Sequence, residues 1–190
     1  MLKELVVSNR SYRRFDHTHK ISREQALKLI DLARLCPSAA NLQPLRYLIL
    51  TEQDDLDMIF PHLRWAGYLR YWNGPEEHER PTAYILILSP ASASKYVNTD
   101  AGIVAQTILL GAVEMGLGGC MLASMDKDEI MNSILPDSDL EPILCVALGK
   151  PAETIVIEDV IDPEDIEYYR DAEGIHHVPK RKLQDLLIDR

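Results

Sequence analysis

The chain has 190 residues, 46% of them hydrophobic and 26% charged, with a formal net charge of −10 at pH 7. That length makes one domain, or one domain with extended arms, and buries about 70% of the unfolded surface. The acidic balance disfavours nucleic acid and anionic membranes as partners, although a local basic cluster can still hold one small anion.

The opening Met1-Leu2-Lys3-Glu4 is charged and amphipathic, unlike a signal peptide, and residues 2–7 read as a short helix. Next comes Asn9-Arg10-Ser11-Tyr12-Arg13-Arg14-Phe15, the densest basic cluster in the chain. It is either a solvated turn or a phosphate site, since guanidinium groups bind phosphate bidentately and a serine adds a neutral donor. Residues 21–35 make a well-marked helix. Ser22 and Gln25 form a capping box, Ile21 can staple onto Ala26, and Ala26, Leu29, Ile30 and Ala33 share one face. Pro37 stops it.

The connector Cys36-Pro37-Ser38-Ala39-Ala40-Asn41-Leu42-Gln43-Pro44 carries small residues, two carboxamides and two prolines, but no charge. It reads either as a rigid link between helix and strand or as a ledge that lets a flat ligand approach the backbone closely. Residues 45–51 are strand-like, and 54–63 helical with a break at Pro61. Trp65, Tyr68, Tyr71 and Trp72 follow near helical spacing, an aromatic face suited to a core or an interface. Residues 73–81 are polar and loop-like, with His78 solvated. Residues 82–88 form a continuous apolar strand, the pattern of a central strand covered on both faces.

Residues 100–124 organise the rest. From Ala101 to Val113 nearly every residue is apolar or small, too short a run to cross a bilayer, which needs roughly 20. A helix apolar all round must be covered on every side, which points to a subunit interface. Asp100 or Thr99 is its expected N-cap. Gly116-Leu117-Gly118-Gly119 ends it, and a short apolar run, 120–124, follows. Asp126 with Glu129 makes a second capping box, opening a helix to Leu135. Residues 142–148 are a buried strand closed by Gly149-Lys150-Pro151. Cys36, Cys120 and Cys145 lie far apart with no C-x-x-C pairing. This argues against disulfides or a zinc site, favours a reducing cytoplasm, and leaves the thiols as small buried residues.

The tail, 152–190, alternates acidic runs with Tyr168-Tyr169-Arg170 and His176-His177-Val178-Pro179-Lys180-Arg181-Lys182. Adjacent histidines on a strand face opposite ways and chelate one metal poorly. Two separate basic runs in an acidic chain are explained if both close on one phosphate.

Taken together, Arg10-Ser11-x-Arg13, Pro37-Ser38-Ala39-Ala40-Asn41-x-Gln43-Pro44, the apolar helix ending Gly116-Leu117-Gly118 and the Leu148-Gly149-Lys150-Pro151 turn resemble the FMN-dependent nitroreductase family. The similarity covers nearly the whole chain in the family's order. It implies an α+β fold, a central, mostly antiparallel sheet sandwiched by helices, in an intertwined homodimer whose C-terminal arm, about 152–190, reaches over the partner. By the same resemblance, Arg10 and Ser11 contact the phosphate and ribityl chain of FMN, and Arg13 the N1/O2 edge of the ring. Pro37, Ser38, Ala39 and Asn41 lie under the isoalloxazine, contributed by the other subunit, with Gln43 near the ribityl or pyrimidine end. Leu122, Ala123 and Ser124 bring backbone near N5, and Lys180 and Arg181 join the phosphate. The chain departs from the family's pattern at Asn9, where many members have a second arginine, at Leu45, which replaces a tryptophan, and at Ala123, where glycine is frequent.

The implied activity is a ping-pong transfer from NADH or NADPH through FMN to a small oxidised acceptor such as a nitroaromatic or quinone. No side chain is assigned as an obligate acid or base, and the protein supplies position and charge. A non-catalytic flavin carrier or sensor, a flavin reductase and a reductive dehalogenase are the alternatives within this resemblance.

Overall fold

The computed structural model describes residues 1–188. Its centre is β2 (Ala83–Pro90), whose first seven residues are all buried. Along it Ile85 and Ile87 turn to one face and Tyr84, Leu86 and Leu88 to the other, as strand geometry requires. Both faces are therefore apolar, and both are covered. On one side lie α2 (Arg23–Ala33) and α4 (Val97–Glu114), which bring Leu29, Ala33, Val104, Ala105 and Ile108. On the other lie α3 (Gln53–Ile59) and α5 (Lys127–Ile134), with Leu56, Ile59 and Ile130. β1 (Arg46–Leu50) and β4 (Leu140–Gly149) flank β2, and β3 (Gly118–Leu122) closes the far edge, giving the order β1-β2-β4-β3 with every pair antiparallel. The register slips where Leu88 meets Pro142, because proline has no N–H for the ladder and settles at a bulge. This is the expected architecture, an antiparallel sheet between helices. Among the described residues no helix is long and apolar enough to cross a membrane.

The helix boundaries differ instructively from expectation. α2 is capped as read: Ser22 Oγ accepts from Gln25 N at 3.2 Å and Gln25 Oε1 accepts from Ser22 N at 2.9 Å. In α5 the box closes only halfway. Asp126 accepts from Glu129 N at 3.3 Å, but Asp126 N donates to His62 O at 2.8 Å instead of back to Glu129. α4 starts at Val97, after Tyr96, so Asp100 and Thr99 are not its N-cap. Asp100 lies inside the first turn, 4% exposed, because its carboxylate is bound elsewhere. Nor is α4 covered all round within the chain, where Gly102, Ile103 and Gln106 remain exposed along one stripe. Gly116, at φ +72°, ends the helix with the left-handed turn expected of it.

The aromatic segment after Pro61 is not a helix. Trp65 packs on Phe60 with ring centroids 5.9 Å apart, Trp72 lies under Arg170, and Tyr71 is fully exposed. The polar 73–81 loop is tied to the N-terminal segment, since Phe15 N donates to Glu79 O at 2.9 Å and Arg14 pairs with Glu79 at 3.3 Å.

After β4 the chain makes a second small sheet, β5 (Ile155–Asp159), β6 (Tyr169–Arg170) and β7 (His176–Lys180), in the order β5-β7-β6. β5 runs parallel and β6 antiparallel to β7. This sheet is joined to the start of the chain by Glu153, whose carboxylate accepts from Arg13 N at 2.5 Å, Arg14 N at 3.1 Å and Arg170 Nη2 at 2.8 Å.

Candidate functional site

Residues 9–14 follow α1 (Leu2–Ser8) and run along the edge of β3, where Ser11 bridges Gly119 and Tyr12 N donates to Gly119 O at 3.1 Å. On that track Arg10, Ser11 and Arg13 line a cavity of about 410 Å³. β7 supplies the opposite wall. Strand alternation puts His176, Val178 and Lys180 on the cavity side, and His177 on the far side against Glu158 and Asp171. Gln106 and Leu109 of α4, Met121 of β3, Asn9 and Tyr168 complete the lining. The two basic runs thus meet, as the sequence suggested, at Arg10, Arg13 and Lys180. Arg181 does not join them: its Nε donates to Pro163 O at 2.6 Å and its Nη2 pairs with Glu164 at 3.1 Å.

Charge in the cavity is free to act on a ligand. Arg10 Nη2 donates to Val6 O at 2.8 Å, and Arg13 Nη1 to Ser11 O at 3.1 Å. Both Nε atoms are buried with no partner among the described residues. Burial lowers the Arg10 pKa, the nearby Tyr12 opposing it, and a partly desolvated cation binds an anion more strongly than one in water. Arg13 also lies 5.0 Å from the Tyr168 ring centroid, a cation–π contact that fixes its direction.

The uncharged loop forms a second hollow, about 190 Å³, lined by Pro37, Ser38 and Gln43 together with Asp100. Asp100 organises it. Its carboxylate accepts from Ser38 Oγ at 2.6 Å and from Ala39 N at 3.0 Å, while Ser38 Oγ accepts from Gln43 N at 3.0 Å. Ala40, Asn41 and Gln43 are held at φ of +49°, +55° and +47°. A left-handed backbone costs a residue with a side chain roughly 1–2 kcal/mol, so the loop needs such anchors to persist. Gln43 Nε2 donates to the Asn41 side chain at 3.1 Å, tying the two carboxamides together. In a single chain this ledge and the basic cavity are separate hollows.

Leu122 is buried in β3, whereas Ala123 and Ser124 are exposed just beyond it, and Ser124 borders a shallow hollow with Arg64 and Lys127. Cys120 and Cys145 are fully buried thiols whose pKa burial raises, Cys120 to about 12. Cys36 Sγ donates to Thr107 Oγ1 at 3.1 Å. No group of three His, Cys, Asp or Glu side chains among the described residues is placed to hold a metal ion.

The sequence reading missed Glu153, Asp100 as an anchor, Tyr168 and His176. For His176 the signal was present, since strand alternation places residues 176, 178 and 180 on one face. For Glu153 no local pattern exists.

A model of the nitroreductase family matches residues 6–150, well over half the chain, and the chain belongs to that family. A Methanothermobacter thermautotrophicus protein provisionally named NADH dehydrogenase/NAD(P)H nitroreductase is 25% identical over 171 residues, covering 86% of this chain and 84% of the relative. Among solved structures, an FMN-dependent nitroreductase from Clostridium difficile superposes with a TM-score of 0.65 at 19% identity, covering 78% of this chain and 87% of the other. A structure from Exiguobacterium sibiricum, determined in complex with FMN, gives the same TM-score at 19% identity, covering 80% and 89%. At these identities the structural likeness establishes the fold.

Proposed function

We propose that this chain is an FMN-dependent oxidoreductase that works as a homodimer. It takes reducing equivalents from NADH or NADPH and delivers them to a small oxidised acceptor such as a nitroaromatic or a quinone. The observation that carries the reading is the convergence of Arg10 and Lys180, from opposite ends of the sequence, on one cavity. The residues fit the cofactor. Two cations and the Ser11 hydroxyl suit a phosphate dianion, the buried Arg10 Nε offers a donor still unused, and about 410 Å³ is within the range of cofactor pockets.

Bound there, FMN would supply the hydride chemistry of the proposed reaction. The chain's own residues position and polarise it. Arg10, Ser11 and Lys180 hold the phosphate. Arg13, its guanidinium set on the Tyr168 ring and its backbone N–H held by Glu153, is a preorganised cation for negative charge that develops on the ring during reduction. The Pro37–Gln43 ledge, which carries no charge, belongs beneath the ring of a flavin held by the second subunit. Its separation from the basic cavity within one chain supports a two-chain site. So does the apolar surface left uncovered, Ile103 on α4 and Leu183, Leu186 and Leu187 in the C-terminal arm, which would reach over the partner. Arg181, paired with Glu164, is assigned to holding that arm rather than to the phosphate.

The experiment is direct. The purified protein should be yellow or take up FMN, bleach within seconds when NADH or NADPH is added anaerobically, and regain colour with a nitroaromatic or quinone. A yellow protein that neither nicotinamide bleaches would be a carrier or sensor, and one that takes up no FMN would overturn the reading. Arg10→Ala and Lys180→Ala should each weaken FMN binding by about 1.5–3 kcal/mol, as for a lost charge-assisted hydrogen bond. Unchanged affinity in both would remove the phosphate assignment.

A further inference from the structure

His176 is 1% exposed and lines the basic cavity, yet neither ring nitrogen has a hydrogen-bond partner among the described residues. A buried imidazole left unpaired at both nitrogens is less stable than a hydrogen-bonded one, a penalty that a ligand can remove. Its place is fixed from two sides. The Tyr168 ring packs on it at 5.4 Å between centroids, and the same ring carries the Arg13 guanidinium at 5.0 Å. β7 sets its distance from the phosphate cation: four residues of strand put His176 about 13 Å from Lys180 along one face. A small anion cannot touch both. A long ligand with a phosphate at one end and polar, uncharged groups at the other can.

We propose that His176 is a cofactor-binding residue whose imidazole hydrogen-bonds the uncharged part of the flavin, its ribityl chain or ring, at the Arg13 end of the cavity. This rests on the FMN reading and extends it to a contact on the side of the site opposite the phosphate. Burial supports the same placement. It pushes the His176 pKa down to about 4, against the pull of Glu153 and with the push of Arg13, Arg170 and His177, so at neutral pH the ring is uncharged. A neutral imidazole carries one donor and one acceptor, which suits hydroxyl, carbonyl or ring N–H groups and makes it no third cation for phosphate.

The test compares FMN with riboflavin, which lacks the phosphate, by titration of apoprotein followed through flavin fluorescence. His176→Phe keeps the stacking on Tyr168 and loses the hydrogen bonds. It should weaken both flavins by a similar factor, roughly 5- to 30-fold, with His176→Gln recovering most of the loss. Lys180→Ala should weaken FMN and leave riboflavin unaffected. Unchanged affinities in His176→Phe, or a loss confined to FMN, would overturn the placement. Where His176→Phe does not fold, the His176 imidazole nitrogen resonances of the wild-type protein replace it. They should shift on adding riboflavin, and resonances that stay in place would overturn the proposal. Wild-type protein that binds neither flavin would instead overturn the FMN reading itself.

Discussion

Single side chains carry much of this architecture, and Asp100 shows how. It sits in the first turn of α4, where a carboxylate is favoured by the helix dipole, and it holds the hydroxyl of Ser38 and the N–H of Ala39. Asp100→Ala removes both acceptors at once and frees three left-handed residues from their anchor. We expect a loss of about 2–4 kcal/mol in urea unfolding, together with weaker FMN binding. An unchanged urea midpoint would show that the loop holds itself. Asp100 was conspicuous in the sequence as a carboxylate before an apolar run, and that pattern suggests a cap. Its actual partners lie 61 and 62 positions away, and capping rules see only the next turn. Glu153 was invisible for the same reason, one acid among many in an acidic tail.

At the scale of elements, strands and helices were legible wherever hydrophobic period and burial agree. β2 and β4 read as continuous apolar runs because both faces are covered, and α2 announced itself through Ser22 and Gln25. The aromatic segment misled because helical spacing of four rings says nothing about whether one shared face is buried. Trp65 is, and Tyr71 is not. β7 was read for its charge and for histidines that face opposite ways, but not for what each face meets, a cavity on one side and Glu158 with Asp171 on the other.

Those faces make a pH prediction. His176, with its pKa pushed down to about 4 by burial, contributes stability that is complete above the ordinary histidine pKa of 6.5 and is lost as pH falls toward 4. Between pH 7.5 and 5 the loss is about 2 kcal/mol by linkage. His177 runs the other way. Hydrogen bonds first to Asp171 and then to Glu158 raise its pKa, so its contribution is full below 6.5 and fades as pH rises through the raised value. Urea midpoints measured across pH should lose less toward acid in His176→Gln than in the wild type, and less toward neutral pH in His177→Gln. Identical profiles in all three proteins would contradict both assignments.

For the whole molecule, the uncovered stripe of α4 matters most, with Gly102, Ile103 and Gln106 exposed and Leu110 half-buried. The sequence showed a helix apolar nearly all round; one chain covers only part of it. The two-chain reading predicts that Ile103→Glu with Leu110→Glu converts a dimer to a monomer in sedimentation velocity and sharply reduces FMN binding. A variant that sediments as the wild type does and binds FMN normally would mean that the ledge and the basic cavity serve without a second copy. The apolar helix by itself pointed to a subunit interface, while the pairing of ledge with cavity across two chains was an expectation from resemblance, since no local pattern states which chain supplies a surface.

Glu153 also sets an order of events during synthesis. Arg13 and Arg14 leave the ribosome some 140 residues before the carboxylate that fastens their backbone. At about 5–20 residues per second, that interval is roughly seven to thirty seconds. Through it the cationic segment of the nascent chain can be held only by earlier partners such as Glu79 and Gly119, and the basic cavity is walled in only once β7 has been made.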